Sequence, residues 1–107
     1  MKTNAQIQFD FARARAHAQD LDDVAGKLRA LSRNDMNNAM SEVSAAWKGD
    51  NAGQYLSKAD RLKGEIDHSA RDIAEIAATI RRIAKIVHDA EQEALRIAIM
   101  RLTKMDG

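Results

Sequence analysis

Apolar residues recur along the first half of the chain with the spacing of a coiled-coil helix. The separations alternate between four and three residues, at Ile7, Phe11, Ala14, Ala18, Leu21, Ala25 and Leu28. A repeat of this kind predicts an amphipathic helix whose apolar stripe packs against another helix. Thr3 or Asn4 is placed to cap its beginning, so we expect helix one to span about residues 4–46.

The stripe slips by one residue near the middle of this predicted helix. Residues 32–35 (SRND) are polar, and the apolar set resumes one position out of step, at Met36, Met40, Val43 and Trp47. A local bend or over-winding near Asn34 would absorb the slip. We therefore expect one long helix with a weak point there.

The second half of the chain carries a stricter apolar repeat. Separations of four and three residues alternate at Tyr55, Ala59, Leu62, Ile66, Ser69, Ile73, Ile76, Ile80, Ile83, Val87, Ala90, Ala94 and Ile97. Helix two is predicted over about residues 52–100, with the seam of the hairpin or of a dimer formed by Tyr55, Leu62, Ile66, Ile73, Ile76, Ile80 and Ile83. Ala70, Ala77 and Ala84 run beside this seam and widen the stripe toward a second contact.

The segment SAAWKGDNAG, residues 44–53, breaks the pattern between the two helices. Gly49 is suited to a left-handed conformation that ends the first helix, and Asp50 or Asn51 to capping the second. A turn over residues 47–51 is so short that the helices must be antiparallel neighbours. The sequence thus predicts an all-α fold, a single domain over residues 1–107 that forms an antiparallel two-helix hairpin, with Trp47 near Tyr55 at its closed end.

The wide stripe on helix two exceeds what one facing helix covers. Exposed apolar surface of this extent is unusual on a monomer, so we expect a partner. The simplest closed arrangement is a four-helix bundle made of two hairpins, and the simplest partner is a second copy related by a twofold axis.

Charge and composition exclude several classes of function. The 17 basic and 16 acidic side chains are interleaved, so no basic field favours nucleic acid. The chain has no cysteine for a disulfide or a thiolate metal site. The N-terminal residues lack the continuous apolar stretch of a signal peptide, and no window approaches a membrane span.

No arrangement of residues predicts catalysis, a metal site or a cofactor site. His17, His68 and His88 are spread over both helices, without the i, i+4 pairing of a helical zinc site. Glu65, His68 and Asp72 share a helix face, which we interpret as a solvated charged face. We therefore predict that the protein is not an enzyme and has no cofactor.

Trp47 has two interpretations that the sequence leaves open. As a core residue, it plugs the closed end of the hairpin. As a recognition residue, it anchors a partner, because an aromatic side chain at a bundle end with its rim in water is well placed for binding.

The turn also carries a family resemblance. A chain of about a hundred residues with two amphipathic helices and Trp47-Lys48-Gly49 at the turn resembles the WXG family, the small Esx-type proteins of bacterial type VII secretion. The likeness covers nearly the whole chain. It implies export of a folded dimer without a cleaved signal peptide, so that the protein is secreted and its membrane contact is only through the secretion apparatus.

A second signature of that family is a tyrosine followed four residues later by an acidic residue, late in helix two. The text IAKIVHDAE, residues 83–91, resembles its usual surroundings, with Glu91 at the acidic position and Val87 in place of the tyrosine. Some members of the family lack the tyrosine and rely on a partner. Trp47, Val87 and Glu91 are therefore the residues that the resemblance implies for secretion or partner recognition.

Three functions follow from this reading. The leading hypothesis is a non-enzymatic type VII secretion substrate that acts as a dimeric secreted effector or adaptor and contacts the secretion ATPase. The first alternative is a targeting partner or chaperone that pairs with the helical hairpin of a paralogue or a larger secreted toxin. The second is an intracellular coiled-coil scaffold with an accidental W-x-G.

Overall fold

The computed structural model describes residues 2–106, and every regular element among them is helical. Helix α1 spans Asn4–Ala30, a π-helix spans Leu31–Met36, α2 spans Asn37–Ala46 and α3 spans Asp50–Asp106. Within the described residues there is no β-strand, so the all-α prediction is confirmed. Helix α3 begins two residues before the predicted start of helix two and continues six residues beyond its predicted end.

Helix α1 begins with a reciprocal cap, which selects Thr3 over Asn4. The Thr3 Oγ1 atom accepts a hydrogen bond from the backbone N–H of Gln6 at 3.2 Å, and Gln6 Oε1 accepts one from the N–H of Thr3 at 2.9 Å. Two donors that the first turn of a helix leaves unpaired are thereby satisfied.

The π-helix lies where the apolar stripe slips. A π-helix closes its hydrogen bonds between residues i and i+5, so its turn holds more residues than an α-helical turn. Over-winding was therefore the wrong expectation: the extra residue is absorbed by a wider turn, and Ser32 and Met36 both face inward. Asn37 supports the end of this turn, because its N–H donates to Asn34 O and its Nδ2 donates to Arg33 O at 2.8 Å.

Contacts divide the chain into two units. The first consists of Met1–Asp20 and Ile76–Gly107, and the second of Leu21–Glu75. In the first unit, Asn4 is hydrogen-bonded to Gln92 and Gln8 to His88, so α1 and α3 run antiparallel there. In the second unit, α2 and α3 are joined by only three residues and are also antiparallel neighbours. The helices thus form the predicted hairpin.

The helix–helix contacts are lined mainly by alanine. Ala18 and Ala77 in the first unit, and Ala25 and Ala70 in the second, have no exposed surface. On α3, two rows of residues face inward. One is the alanine column, and the other is a column of the predicted seam whose members Ile66, Ile73 and Ile80 are half-buried.

The other column of the predicted seam lies outside the buried part of the hairpin contact. Its members are all about half exposed, and they are Tyr55, Leu62, Ile76 and Ile83. The physical reason is that small alanine side chains let two helix backbones approach closely, so the contact is rotated toward the alanine side of α3. The assignment of these four residues to a dimer contact stays a prediction.

Deletion of one residue from the π-helix tests its origin. Removing Asn34 brings Leu28, Ser32 and the following apolar residues into a regular alternation of four and three, so the segment can close as an α-helix. We expect this variant to melt at or above the wild-type temperature by circular dichroism. Deletion of Ala16, in regular α1, shifts the packed face on one side of it and should lower the melting temperature by roughly 5 °C or more. Equal losses for both deletions would contradict the interpretation.

Candidate recognition surface

Trp47 marks the end of α2 and remains largely accessible. Its backbone is extended, with φ −108° and ψ 137°, while its N–H still donates to Val43 O at 2.8 Å. The indole is 57% exposed and lies against the Tyr55 ring, with the ring centroids 6.1 Å apart and the planes inclined by 53°. Trp47 therefore lies near Tyr55 as expected, with one side packed and the other open to a partner.

Gly49 adopts a positive φ of +102°, as the sequence predicts, but at the start of α3 rather than at the end of the preceding helix. Helix α2 ends at Ala46, and the carbonyl of Gly49 accepts the N–H of Gly53 at 3.3 Å, which opens α3. Asp50 is thus already in the first helical turn, where its charge interacts favourably with the helix dipole.

Glu91 is held by the N-terminus of the chain. The Lys2 Nζ atom lies 3.1 Å from Glu91 Oε2 and 3.2 Å from Glu91 Oε1, and it also contacts Asp10 Oδ2 at 2.8 Å. Hydrogen bonds to Asp10 and then to Glu91 raise the pKa of the Lys2 ammonium above its ordinary value. The acidic residue of the predicted signal is therefore engaged by a basic residue of the same chain.

His88 lies beside Val87 and connects α3 to α1. Its ring packs against Phe11 with the centroids 4.5 Å apart, and its nitrogens lie 3.1 Å from Asp89 Oδ1 and 3.3 Å from Gln8 Oε1. Hydrogen bonds from Lys85 and then from His88 lower the pKa of Asp89. The helix turn that contains the predicted recognition residues is thus held by the contacts of His88 with Gln8 of α1 and with Asp89 of α3.

Val87 contributes to an apolar groove between α1 and α3. The groove has a volume of about 300 Å³ and is lined by Ile7, Asp10, Phe11, Ala14, Ile80, Ile83, Ala84, Val87 and His88. Val87, which the sequence resemblance aligns with the tyrosine of the family's signature, is about half exposed and presents an aliphatic side chain to solvent.

The described residues offer no metal site and no membrane span. Within residues 2–106, no group of three histidine or acidic side chains is arranged to hold a metal ion. None of the helices in this range has the combined length and hydrophobicity required to cross a membrane.

Comparison with known protein families decides what the chain is. The model of the WXG100 family, described as proteins of 100 residues with WXG, matches residues 6–92. The chain belongs to the WXG100 family. No curated protein and no solved structure matches the chain. WXG100 proteins are small helical proteins associated with type VII secretion and are not known as enzymes.

The predicted recognition residues belong to different units. Trp47 belongs to the second unit, with the turn residue Gly49, whereas Val87 and Glu91 belong to the first. Lys2 and His88 were not identified from the sequence as contacts of these positions. The sequence feature that could have identified His88 is its position one residue after Val87, on the face toward the alanine column. Lys2 lies before the first apolar repeat, and no sequence pattern pointed to it.

The role of Gly49 can be tested against a glycine in regular helix. A Cβ atom at either Gly49 or Gly64 would meet no atom within 4 Å, so the two sites differ in backbone conformation and not in space. Gly49→Ala should lower the free energy of unfolding by about 1–2 kcal/mol, because φ is positive. Gly64→Ala should raise it by about 0.5–1 kcal/mol, because alanine favours a helix interior. Chemical denaturation measures both, and a shared sign would contradict the assigned conformation.

Proposed function

We propose that this WXG100 protein is a non-enzymatic type VII secretion substrate that is exported as a dimer without a cleaved signal peptide and acts as a secreted effector or adaptor. Membership of the family supports the secretion route. The observation that carries the dimer is the column of aliphatic side chains that the hairpin leaves uncovered on α3.

The uncovered column has the periodicity of a second helix contact. In the first unit, Ile76, Ile83 and Ile97 recur at multiples of seven residues, and Ile76 and Ile83 are 53% and 49% exposed. In the second unit, Tyr55 and Leu62 continue the same spacing. A seven-residue repeat is the pattern that a facing helix covers, so a second hairpin packed on this column gives a four-helix bundle.

Paired aspartate substitutions distinguish the dimer contact from the hairpin contact. Ile83→Asp places a charge on the exposed column and should leave a folded helical monomer in sedimentation velocity and circular dichroism. Ala77→Asp places the same charge in the contact between α1 and α3, where a buried unpaired carboxylate costs several kcal/mol, and should unfold the chain. A wild-type monomer at micromolar concentration, or a dimer of Ile83→Asp as stable as the wild type, would contradict the bundle.

The dimer provides a composite recognition surface. If two hairpins pack antiparallel, the turn of one chain approaches the late part of α3 in its partner. Trp47 of one chain then lies near Val87 and Glu91 of the other. In this arrangement Trp47 is the aromatic anchor, and Glu91 is the charged contact for the secretion ATPase or a toxin partner.

The ion pair of Glu91 sets a condition on this contact. A basic side chain from a receptor must replace Lys2 at Glu91, or bind the carboxylate beside it. The Lys2 side chain is about half exposed and the Glu91 side chain is partly exposed, and ion pairs near the surface contribute little to stability, so replacing Lys2 by another basic group costs little free energy. The charge of Glu91 therefore remains available to a partner.

Substitution of Trp47 separates recognition from packing. Trp47→Ala should keep the dimer and its helical circular dichroism spectrum, because the indole is more than half exposed, and should abolish export in a bacterium with a working type VII apparatus. Glu91→Ala should weaken the same step. Phe9→Ala is the matched control, since Phe9 is an exposed aromatic residue outside the composite surface, and it should be exported normally. Normal secretion of Trp47→Ala would leave the residue with a packing role alone.

A second candidate function is favoured by Val87. The family's export signature has tyrosine at this position, and some members lack it and rely on a partner. The protein then acts as a targeting partner for a larger type VII toxin, with the exposed column of α3 covered by a helical hairpin of that toxin. Co-purification of a heterodimer with a toxin encoded by a neighbouring gene, in place of the homodimer, is the observation that distinguishes this role.

A further inference from the structure

The end of α3 carries an exposed apolar face. Contacts of the N-terminal residues with α3 lie at His88, Glu91 and Gln92, and every residue from Ile99 to Met105 is exposed. We call residues 95–105 the C-terminal segment. Its large exposed apolar side chains are Ile97, Ile99, Met100, Leu102 and Met105.

The C-terminal segment also differs in charge from the rest of the chain. Residues 1–93 hold 14 basic and 15 acidic side chains, whereas residues 94–107 hold three basic residues, Arg96, Arg101 and Lys104, and one acidic residue, Asp106. Arg96 is paired with Glu93, its Nε lying 3.0 Å from the carboxylate, but Arg101 and Lys104 are exposed. Basic residues thus outnumber acidic residues by two at this end of α3, whereas the two kinds nearly balance in the rest of the chain.

Most apolar residues of the segment lie on one side of the helix, and its basic residues lie on the other. The apolar side has the i, i+3, i+4, i+7 spacing and consists of Leu95, Ala98, Ile99, Leu102 and Met105. Arg96, Arg101 and Lys104 project from the remaining surface, on which Ile97 and Met100 also lie. An amphipathic helix with cations around an apolar face is typical of peptides that lie in the interface of an anionic bilayer.

We propose that the C-terminal segment binds the surface of an anionic lipid bilayer, with its apolar side in the headgroup region and Arg101 and Lys104 near lipid phosphates. A second copy in a twofold pairing of these segments is disfavoured, because it brings like charges together. This contact is additional to the membrane contact through the secretion apparatus that the family resemblance implies.

Vesicle sedimentation with the full chain tests this proposal. The wild-type protein should sediment with vesicles of phosphatidylglycerol and phosphatidylcholine in equal parts at low salt and remain in solution with phosphatidylcholine alone. High salt should weaken the binding, because exposed charges are screened. Joint substitution of Arg101→Gln and Lys104→Gln should lower the partition coefficient roughly 30-fold, about fivefold for each charge near the surface.

Matched variants on the same helix serve as controls. Lys58→Gln with Arg61→Gln removes the same two charges at the same spacing and should leave binding unchanged. Ile99→Gln should weaken binding whereas Ile86→Gln should not, although the two isoleucines are 54% and 57% exposed. All of these positions are exposed, so circular dichroism should show the same fold throughout.

Three results would overturn the proposal. The first is that the wild-type protein stays in solution with the anionic vesicles at low salt. The second is that the Arg101 and Lys104 variant binds as well as the wild type. The third is that the Lys58 and Arg61 control loses as much binding as the Arg101 and Lys104 variant. The first is also the result expected if the segment serves an acidic protein helix instead. The experiment needs neither export nor a dimer, so its failure is distinguishable from failure of the proposed function.

Discussion

Close approach of two helices through alanine is the constraint on which this hairpin depends. Ala18 and Ala77 in one unit, and Ala25 and Ala70 in the other, are fully buried where larger side chains would separate the helices. A buried methyl group contributes about 0.8 kcal/mol, whereas a fully buried isoleucine or leucine contributes about 1.5–3 kcal/mol. The hairpin therefore gains little from its own contact, and most of the apolar capacity of α3 remains on its outer side. The proposed dimer would bury part of that exposed apolar surface.

The helices and the hairpin could be predicted from periodicity, but the rotation of α3 could not. Its apolar positions form three columns, and the middle column, with Ile66, Ile73 and Ile80, belongs to either possible seam. Hydrophobicity favours the column of Ile76 and Ile83 for the interior, because isoleucine buries more area than alanine. The structure uses the alanine column instead, since backbone proximity decides the contact. A single sequence contains both columns and does not rank them.

The candidate site was predictable where it depends on local conformation. Trp47 and Gly49 lie at the break between two repeats, and the positive φ of Gly49 follows from residue type and position. The contacts of Lys2 with Glu91 and of His88 with Phe11 join residues more than 75 positions apart, so their pairing depends on the register between helices. That register depends on the π-helix and the turn together. The slip of the apolar repeat indicates that this stretch holds one residue more than a regular helix needs. Whether the helix accommodates that residue by a π-helical turn can be seen only from the backbone geometry.

The π-helix has a consequence for how a sequence of this kind changes in length. Inserting one residue into a regular helix rotates everything on one side of the insertion by about 100° relative to the other, and the buried face is lost. A wider turn confines the added residue to one place, and the apolar faces before and after it keep their orientation. Loss of one codon in the middle of the first helical stretch is thus expected to convert the wider turn into a regular one and to leave the apolar faces on both sides in their present orientation. In evolutionary terms, the residue added to the regular repeat is accommodated inside a helix and not in a loop.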